Sequence, residues 1–212
     1  SMLGVLFVSA NWANAQLSGT SYTINSGVAA SSTNFTSWAS FATYFNTNGI
    51  SGKTVVTVQT DDVANTGAIQ LTQHATNPTT STKTLTILGG GKILASSNAY
   101  EVLNLNGIDY TFISNLNIRN TGNGSYSQCV RLSGAADYCS FNNCIMEFTA
   151  LTTTSTSGSA YFTYASTASS PTSTSTTHNG SYDTIQNCTM RCVNTAGAAY
   201  ASPGPSSAII DQ

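Results

Sequence analysis

Three of the eight acidic residues recur beside a repeated tyrosine, and carboxylates are the groups of this chain that could catalyse glycoside cleavage. Asp109 and Asp137 each directly precede a tyrosine, and Asp183 directly follows one. Glycosidases need two carboxylates about 5–9.5 Å apart across the scissile bond. If the repeated segments stack, Asp109 and Asp137 lie within reach of each other. Asp also favours the turn before a strand, so a structural role is the alternative and the catalytic residues stay unknown.

The other reactive side chains do not form a recognisable site. Asp61 and Asp62 lie in a turn after a strand without a third oxygen ligand nearby in sequence, and His74 and His178 fall in polar loops. The spacing of the five cysteines matches no zinc site, so we expect no metal, no cofactor and mostly buried thiols. These cysteines are Cys129, Cys139, Cys144, Cys188 and Cys192.

The composition favours a neutral, polar surface. Only 7% of the 212 residues are charged, against roughly 25% in an average globular domain. The formal net charge of -2 offers no basic patch for nucleic acid, so we expect no nucleic-acid partner. Such a surface suits an extracellular β-rich protein.

The amino terminus favours export. An apolar run at 3–8 precedes Ala13-Asn14-Ala15, a small-x-small cleavage pattern, so residues 1–15 are interpreted as a partial signal peptide. A first buried strand is the alternative. The run is too short to span a bilayer, and we expect a secreted or cell-surface protein without a membrane span in the mature chain.

The elements expected next are a cap and a series of short strands. A helix is predicted over residues 34–46, capped by Thr33 or Asn34, within an amino-terminal cap at 16–53. Strand-forming segments separated by Gly, Asn and Ser follow from residue 54 to 212. A Ser/Thr-rich insert at 149–180 interrupts them. The clearest predicted strands are Thr54–Val58, Ala68–Leu71, Thr84–Leu88, Val102–Leu105 and Tyr110–Ile118, and Ser21–Ile24 is a short β-like segment before the helix.

An internal repeat decides the fold class. Segments starting at Tyr110, Tyr138 and Tyr182 share an aromatic residue, an apolar residue three positions on, Asn at five and Ile or Met at eight. The starts are 28 and 44 residues apart. A unit that repeats with variable inserts is typical of a solenoid. Because this unit is made of strands, the sequence predicts an all-β parallel β-helix (a solenoid) with one capping helix, its equivalent strands about 4.8 Å apart.

Stacking places equivalent residues in columns. We expect two inward columns and one column of asparagines at a bend, where Asn tolerates left-handed backbone. The expected columns are Ile113, Phe141 and Ile185; Leu116, Cys144 and Cys188; and Asn115, Asn143 and Asn187.

The same register predicts an outward column of alternating charge. Arg119, Glu147 and Arg191 occupy equivalent positions, and exposed opposite charges on adjacent strands attract by roughly 0.2–1 kcal/mol per pair. A basic residue on the outer face could also contact an acidic sugar. These three residues, with Asp109 and Asp137, are therefore the candidate ligand-binding residues.

The chain resembles a known group of proteins. Tyr22-Thr23-Ile24, the predicted helix, and the segment 48–52 leading into 55–58 resemble the start of large secreted proteins of Bacteroidota-type bacteria. In those proteins an aromatic-rich helix caps a right-handed parallel β-helix, and the segment Tyr110–Ile118 is similar to the pectin-lyase-like repeat. The resemblance implies a secreted or cell-surface location. Because Ser206–Gln212 looks like the start of a further coil, we expect an amino-terminal fragment of a longer protein.

Three functions remain open. The first is a noncatalytic adhesin, glycan-binding or structural solenoid with a polysaccharide or cell-surface glycan as partner. The second is a polysaccharide lyase or glycoside hydrolase whose site lies near Asp109 and Asp137 or in coils outside this sequence. The third is ice binding, which needs regular Thr-x-Thr rows, whereas the Thr-rich tracts lie in the insert.

Overall fold

Parallel strands in three sheets dominate the structure. The computed structural model describes residues 16–19, 21–124, 126–150, 160–165, 182–193 and 207–211. In these ranges the chain forms seventeen strands and one α-helix. The first elements are β1 Ser21–Ile24, β2 Asn34–Phe35, α1 Trp38–Asn48, β3 Thr54–Val58, β4 Asp62–Asn65, β5 Ile69–Thr72, β6 Leu85–Leu88, β7 Ile93–Ser96 and β8 Glu101–Asn106. The later strands are β9 Thr111–Ser114, β10 Asn117–Asn120, β11 Gln128–Ser133, β12 Ser140–Asn142, β13 Ile145–Phe148, β14 Ala160–Ala165, β15 Thr184–Gln186, β16 Thr189–Cys192 and β17 Ser207–Asp211.

The chain visits the three sheets in strict rotation. The first sheet has the order β15-β12-β9-β6-β3-β1-β2, the second β16-β13-β10-β7-β4 and the third β17-β14-β11-β8-β5. The strand pairs within each sheet are parallel. From β3 onwards each set of three strands makes one pass through all three sheets, and we call each pass a coil. Five coils follow one another, an arrangement compatible with a parallel β-helix.

The core consists of stacked apolar side chains, one from each coil. Ile113, Phe141 and Ile185 are direct neighbours across the first sheet, as predicted, and the column continues to Ile87 and Val56 on the other side. Matching columns line the second sheet (Leu94, Ile118, Met146, Met190) and the third (Ile69, Leu103, Val130, Phe162). These side chains are buried except Ile185 and Met190, which are half-buried.

Asparagines form the bend between the first and second sheets, as predicted. Asn115, Asn143 and Asn187 have φ of 51°, 54° and 55°, in the left-handed region that Asn tolerates better than most residues. The Asn187 side-chain amide donates to the Asn142 side chain of the preceding coil at 3.1 Å. The equivalent corner between β6 and β7 contains Gly89, where an added Cβ would lie 2.4 Å from the Asn115 carbonyl oxygen.

The helix begins at Trp38 rather than at residue 34. Asn34 and Phe35 instead pair with β1, and the buried Asn34 amide donates to three loop carbonyls, including that of Val28. Neither Thr33 nor Asn34 is therefore the cap. Ser37 caps the helix through a capping box with Ser40. The predicted helix start is wrong because β1 offers this stretch a strand partner, and the predicted end at 46 falls short of Asn48.

The cap region shares its sheet with the coils. β1 pairs in parallel with β3, so the first sheet extends into residues 16–53. Helix α1 buries Trp38, Phe41, Ala42 and Phe45, and it packs against β2 and β5. The Asp62 carboxylate accepts a hydrogen bond from the Trp38 amide at 2.8 Å. The helix amino terminus is thus bound to the first coil.

Part of the predicted insert is described, and it contains strand β14. β14 pairs in parallel with β11 on one side and β17 on the other. The Ser/Thr tracts themselves, at 151–159 and 166–181, lie outside the described residues, as do residues 1–15 with the predicted signal peptide.

We predict that Phe141→Ala lowers the free energy of unfolding by about 3–5 kcal/mol, because it opens a cavity in the apolar column of the first sheet. Urea denaturation followed by circular dichroism measures the loss. Phe112→Ala on the neighbouring strand is the control, since that side chain is half-buried and should cost less. Equal losses in the two variants would contradict this placement of the core.

Candidate functional site

A ladder of three tyrosines runs along the corner that leads into the first sheet. Tyr110 directly precedes β9, whereas Tyr138 and Tyr182 each lie two residues before the start of their strands, β12 and β15. Their rings are nearly parallel, with centroid separations of 4.7 Å and 4.8 Å and interplanar angles of 2° and 5°. Tyr138 is 39% exposed and Tyr182 is 76% exposed. The ladder therefore presents ring edges and phenol groups on the surface.

The backbone at all three tyrosines is left-handed. Their φ angles are 46°, 56° and 60°, a region that bulky residues rarely occupy. Such outliers cost on the order of 1–3 kcal/mol and persist only where surrounding contacts hold them. Ring stacking between neighbouring coils supplies part of that support, at about 0.5–1.5 kcal/mol per pair. The sequence repeat identified these tyrosines but did not predict their backbone conformation.

Two of the three aspartates beside the ladder accept hydrogen bonds from backbone amides of neighbouring coils. The Asp137 amide donates to Asp109 Oδ1 at 2.9 Å, and the Cys139 amide donates to Asp183 Oδ1 at 2.6 Å. The structure therefore brings Asp109 and Asp137 together, in a contact that joins a side chain to a backbone amide. The second oxygen of Asp183 is buried and has no hydrogen-bond partner among the described residues.

Burial changes the acidity of two of these aspartates. It raises the pKa of Asp183 to about 7, and the charges of Asp137 and Asp109 add to the rise while the Cys139 amide opposes it. Burial also raises the pKa of Asp109, against the hydrogen bond from the Asp137 amide. A carboxyl group that is partly protonated near neutral pH can donate as well as accept a proton.

The predicted column of charges is present, but its centre is buried. Arg119, Glu147 and Arg191 are direct neighbours on β10, β13 and β16. Arg119 Nε lies 2.5 Å from one Glu147 carboxylate oxygen and Arg191 Nε lies 2.6 Å from the other. Glu147 is 1% exposed, so the expectation of exposed pairs is wrong for the carboxylate. The two arginines cover Glu147, and their outer edges are accessible to an anionic ligand.

Sequence reasoning missed a second polar cluster, on the third sheet. Glu101, Gln128, Arg131 and Thr163 are each at most 7% exposed, and Arg131 lies 4.0 Å from Glu101. Glu101 Oε2, both Gln128 amide atoms, Arg131 Nε and Thr163 Oγ1 have no hydrogen-bond partner among the described residues. Buried polar atoms normally bind water or a ligand when protein partners are lacking. Arg131 between Val130 and Leu132 was the available indication, since a charge within a strand of core residues is unusual.

The remaining candidates do not join these clusters. The Asp61 carboxylate accepts from the Ile93 amide at 2.9 Å, and His74 Nε2 lies 3.0 Å from the Thr47 carbonyl oxygen. His178 lies outside the described residues. In the described part of the chain no three His, Cys, Asp or Glu side chains are grouped to hold a metal. No helix within the same ranges has the length and apolar character to cross a membrane.

The long face of the first sheet carries mixed residues. Val55 and Thr57 pair with Thr86 and Leu88 on the next coil. The following coil adds Phe112 and Ser114 at the same positions. Ice binding through a threonine row stays a prediction without support from this face.

Comparisons with protein-family models, with curated proteins and with solved structures find no match for the chain.

We predict that Glu147→Gln lowers the free energy of unfolding by about 1–3 kcal/mol, since two charge-assisted hydrogen bonds are weakened at a buried position. Arg191→Gln removes only the more exposed partner and should cost about 1 kcal/mol or less. Denaturant titration of both variants measures the difference. A larger loss for Arg191→Gln than for Glu147→Gln would contradict the central role of the buried carboxylate.

We predict that stability falls as pH rises from about 4 to about 7 because of Asp183. The folded protein keeps the Asp183 proton up to about pH 7, whereas the unfolded chain releases it near the ordinary aspartate pKa of 3.8, so the folded state binds more protons in this window. Asp183→Asn should flatten the slope while retaining the acceptor for the Cys139 amide. Thermal unfolding between pH 4 and pH 8 measures it, with Asp61→Asn as the control; an unchanged slope in Asp183→Asn would refute the assignment.

Proposed function

We propose that this chain is a secreted or cell-surface right-handed parallel β-helix of the pectin-lyase-like kind with a noncatalytic role in glycan binding or adhesion. The right-handed sense follows the strong preference of crossover connections between parallel strands. The rotation of the chain through three parallel sheets supports the β-helix. The resemblance of the amino-terminal segments to secreted proteins supports the location.

The hydrogen bonds of the acidic residues are the observation that supports the noncatalytic role. Five of the eight acidic side chains accept a hydrogen bond from a backbone amide or an arginine: Asp61, Asp62, Asp109, Glu147 and Asp183. A sixth, Glu101, lies 4.0 Å from Arg131. Several of these contacts join one coil to the next. A carboxylate oxygen that already accepts a structural hydrogen bond is less available to take a proton from a substrate or to attack it. Most carboxylates of the described coils therefore have a structural role.

The tyrosine ladder is the surface best suited to a glycan. The stacked rings present apolar edges and phenols that both donate and accept hydrogen bonds, at low cost in side-chain entropy. The three phenols repeat once per coil, so a repeating polymer meets the same group at each step. The neighbouring Asp109 and Asp137 can accept hydrogen bonds from sugar hydroxyls. Holding the tyrosines in left-handed backbone is consistent with a functional surface.

An enzyme is the second candidate, and one observation favours it. The raised pKa values of Asp183 and Asp109 resemble those of general acids, and perturbed carboxyls cluster at catalytic sites. Under this alternative the chain cleaves polysaccharide by hydrolysis or elimination near the tyrosine ladder, with Asp109, Asp137 and Asp183 as the reacting groups.

We predict that the protein binds a subset of glycans on an array and that Tyr138→Ala weakens this binding about fivefold or more, because one step of the ladder is lost. Tyr100→Ala is the matched control, since Tyr100 is 41% exposed but lies at another corner of the coil. Its binding should equal that of the wild type. Titration of the best array ligand by calorimetry gives both affinities.

A cleavage assay separates the two candidates. The wild type is incubated with neutral and acidic polysaccharides, and new reducing ends and unsaturated products are measured. Glycan binding without product formation supports the adhesive role. Cleavage that is lost in Asp109→Asn or Asp183→Asn would establish the enzyme, and binding that is equally weak in Tyr138→Ala and Tyr100→Ala would remove the ladder from the proposal.

A further inference from the structure

Two of the five cysteines occupy equivalent positions on neighbouring coils. Cys144 lies between β12 and β13 in the fourth coil, and Cys188 lies between β15 and β16 in the fifth. The pairs Phe141–Ile185 and Ile145–Thr189 fix the register on either side of them. The Thr189 amide donates to the Cys144 carbonyl at 2.9 Å, which holds the two backbones together at this corner.

The two thiols also contact the same strand. Cys144 Sγ donates to the Asn142 carbonyl at 3.5 Å, and Cys188 Sγ donates to the adjacent Phe141 carbonyl at 3.5 Å. Burial raises the pKa of Cys144, and the neighbouring Cys188 thiol adds to the rise. Cys144 is buried, whereas Cys188 is half-buried and open to reagents on one side.

We propose that Cys144 and Cys188 are a disulfide-forming pair that links the fourth coil to the fifth. Equivalent residues on adjacent parallel strands lie about 4.8 Å apart. Disulfides join Cα atoms that are about 4.4–6.8 Å apart, and the side chains must not point away from each other. Residues stacked in one column meet both conditions. The inference does not depend on glycan binding or on the cellular location.

The pair lies across the longer of the two compared connections between successive coils. Asp109 and Asp137 are 28 residues apart, but Glu147 and its neighbour Arg191 are 44 residues apart, because the insert lengthens the fourth coil. Closing a longer loop costs more chain entropy, and a cross-link across it restricts the unfolded chain more strongly. The Cys144–Cys188 link encloses residues 145–187, which contain the whole insert.

The other cysteines have different neighbours in their columns. The register places Cys139 between Thr111 and Asp183, since Ser140 pairs with Phe112 and Thr184. Cys192 pairs with Phe148, and Cys129 donates to the Glu147 carbonyl from the third sheet. None of these three stacks on an equivalent cysteine in the described coils. The odd number of cysteines is therefore compatible with one linked pair.

Thiol–disulfide exchange with a small disulfide such as oxidised glutathione forms the link. The Cys188 thiolate attacks one glutathione sulfur, and a mixed disulfide forms as one glutathione thiolate leaves. The Cys144 thiolate then attacks the Cys188 sulfur and expels the second glutathione. Two protein thiols are oxidised, one disulfide is reduced to two glutathiones, and the thiol protons pass to the leaving thiolates. Burial raises the pKa of Cys144 to about 11, so the second step should accelerate as pH rises.

Peptide mapping tests the pair directly. The full chain is incubated with oxidised glutathione, its remaining thiols are alkylated, and it is digested without reduction by trypsin and a Glu-specific protease. Cleavage after Arg131, Glu147 and Arg191 separates residues 132–147, 148–191 and 192–212. We expect a linked species of 132–147 with 148–191 that reduction separates. The Cys139→Ser variant leaves one cysteine in each of these two peptides and assigns the bond to Cys144 and Cys188.

Each outcome decides the proposal. The linked species in both the wild type and Cys139→Ser supports it, together with a Tm that is higher by roughly 5–15 °C in the oxidised than in the reduced protein. The variants Cys144→Ser and Cys188→Ser should show no such difference. Glutathione retained on Cys188 alone, a link through another cysteine, or free thiols at both positions in protein that circular dichroism shows to be folded would each overturn it.

Discussion

Backbone hydrogen bonding between successive coils is the constraint on which the structure depends. Parallel pairing holds equivalent residues of neighbouring coils about 4.8 Å apart, so each side chain lies directly against its counterparts above and below. Residue types at one position are therefore coupled along the stack. Apolar residues fill the columns at Phe141 and Met146, tyrosines stack ring on ring, and Arg119 and Arg191 flank Glu147 because like charges in one column would repel.

This constraint also determines how a weakly charged chain uses its charges. A carboxylate at a corner is close to the amides of the neighbouring coil, and Asp61, Asp109 and Asp183 accept hydrogen bonds there. Partial burial of these corners raises the pKa of Asp109 and Asp183, and Asp183, whose pKa is raised to about 7, responds to pH near neutrality. The same closeness places the Cys144 and Cys188 thiols together. Structural support and chemical reactivity therefore coincide at the corners of the coils.

Periodicity in the sequence predicted the stacking, but some elements required knowledge of their neighbours. The repeat starting at Tyr110, Tyr138 and Tyr182 gave the register that the strand pairs confirm. Strands β4 and β7 were not predicted, because four-residue segments such as Asp62–Asn65 carry almost no periodic pattern of their own. They form because adjacent coils offer hydrogen-bond partners. The late start of helix α1 has the same cause, since β1 provides a partner for Asn34 and Phe35.

The sequence by itself determined the register of the coils, the apolar columns and the asparagine bends, because those depend on residue type at a repeated spacing. Only the tertiary structure decided which polar groups are buried. The sequence predicted an exposed Glu147, whereas two arginines cover it in the structure. Arg131 lies 4.0 Å from Glu101 of the neighbouring coil. The left-handed backbone of the stacked tyrosines was likewise decided only by the tertiary structure. Burial, acidity and backbone strain depend on atoms that are distant in the chain and adjacent in space, and for that reason no local pattern of residues specifies them.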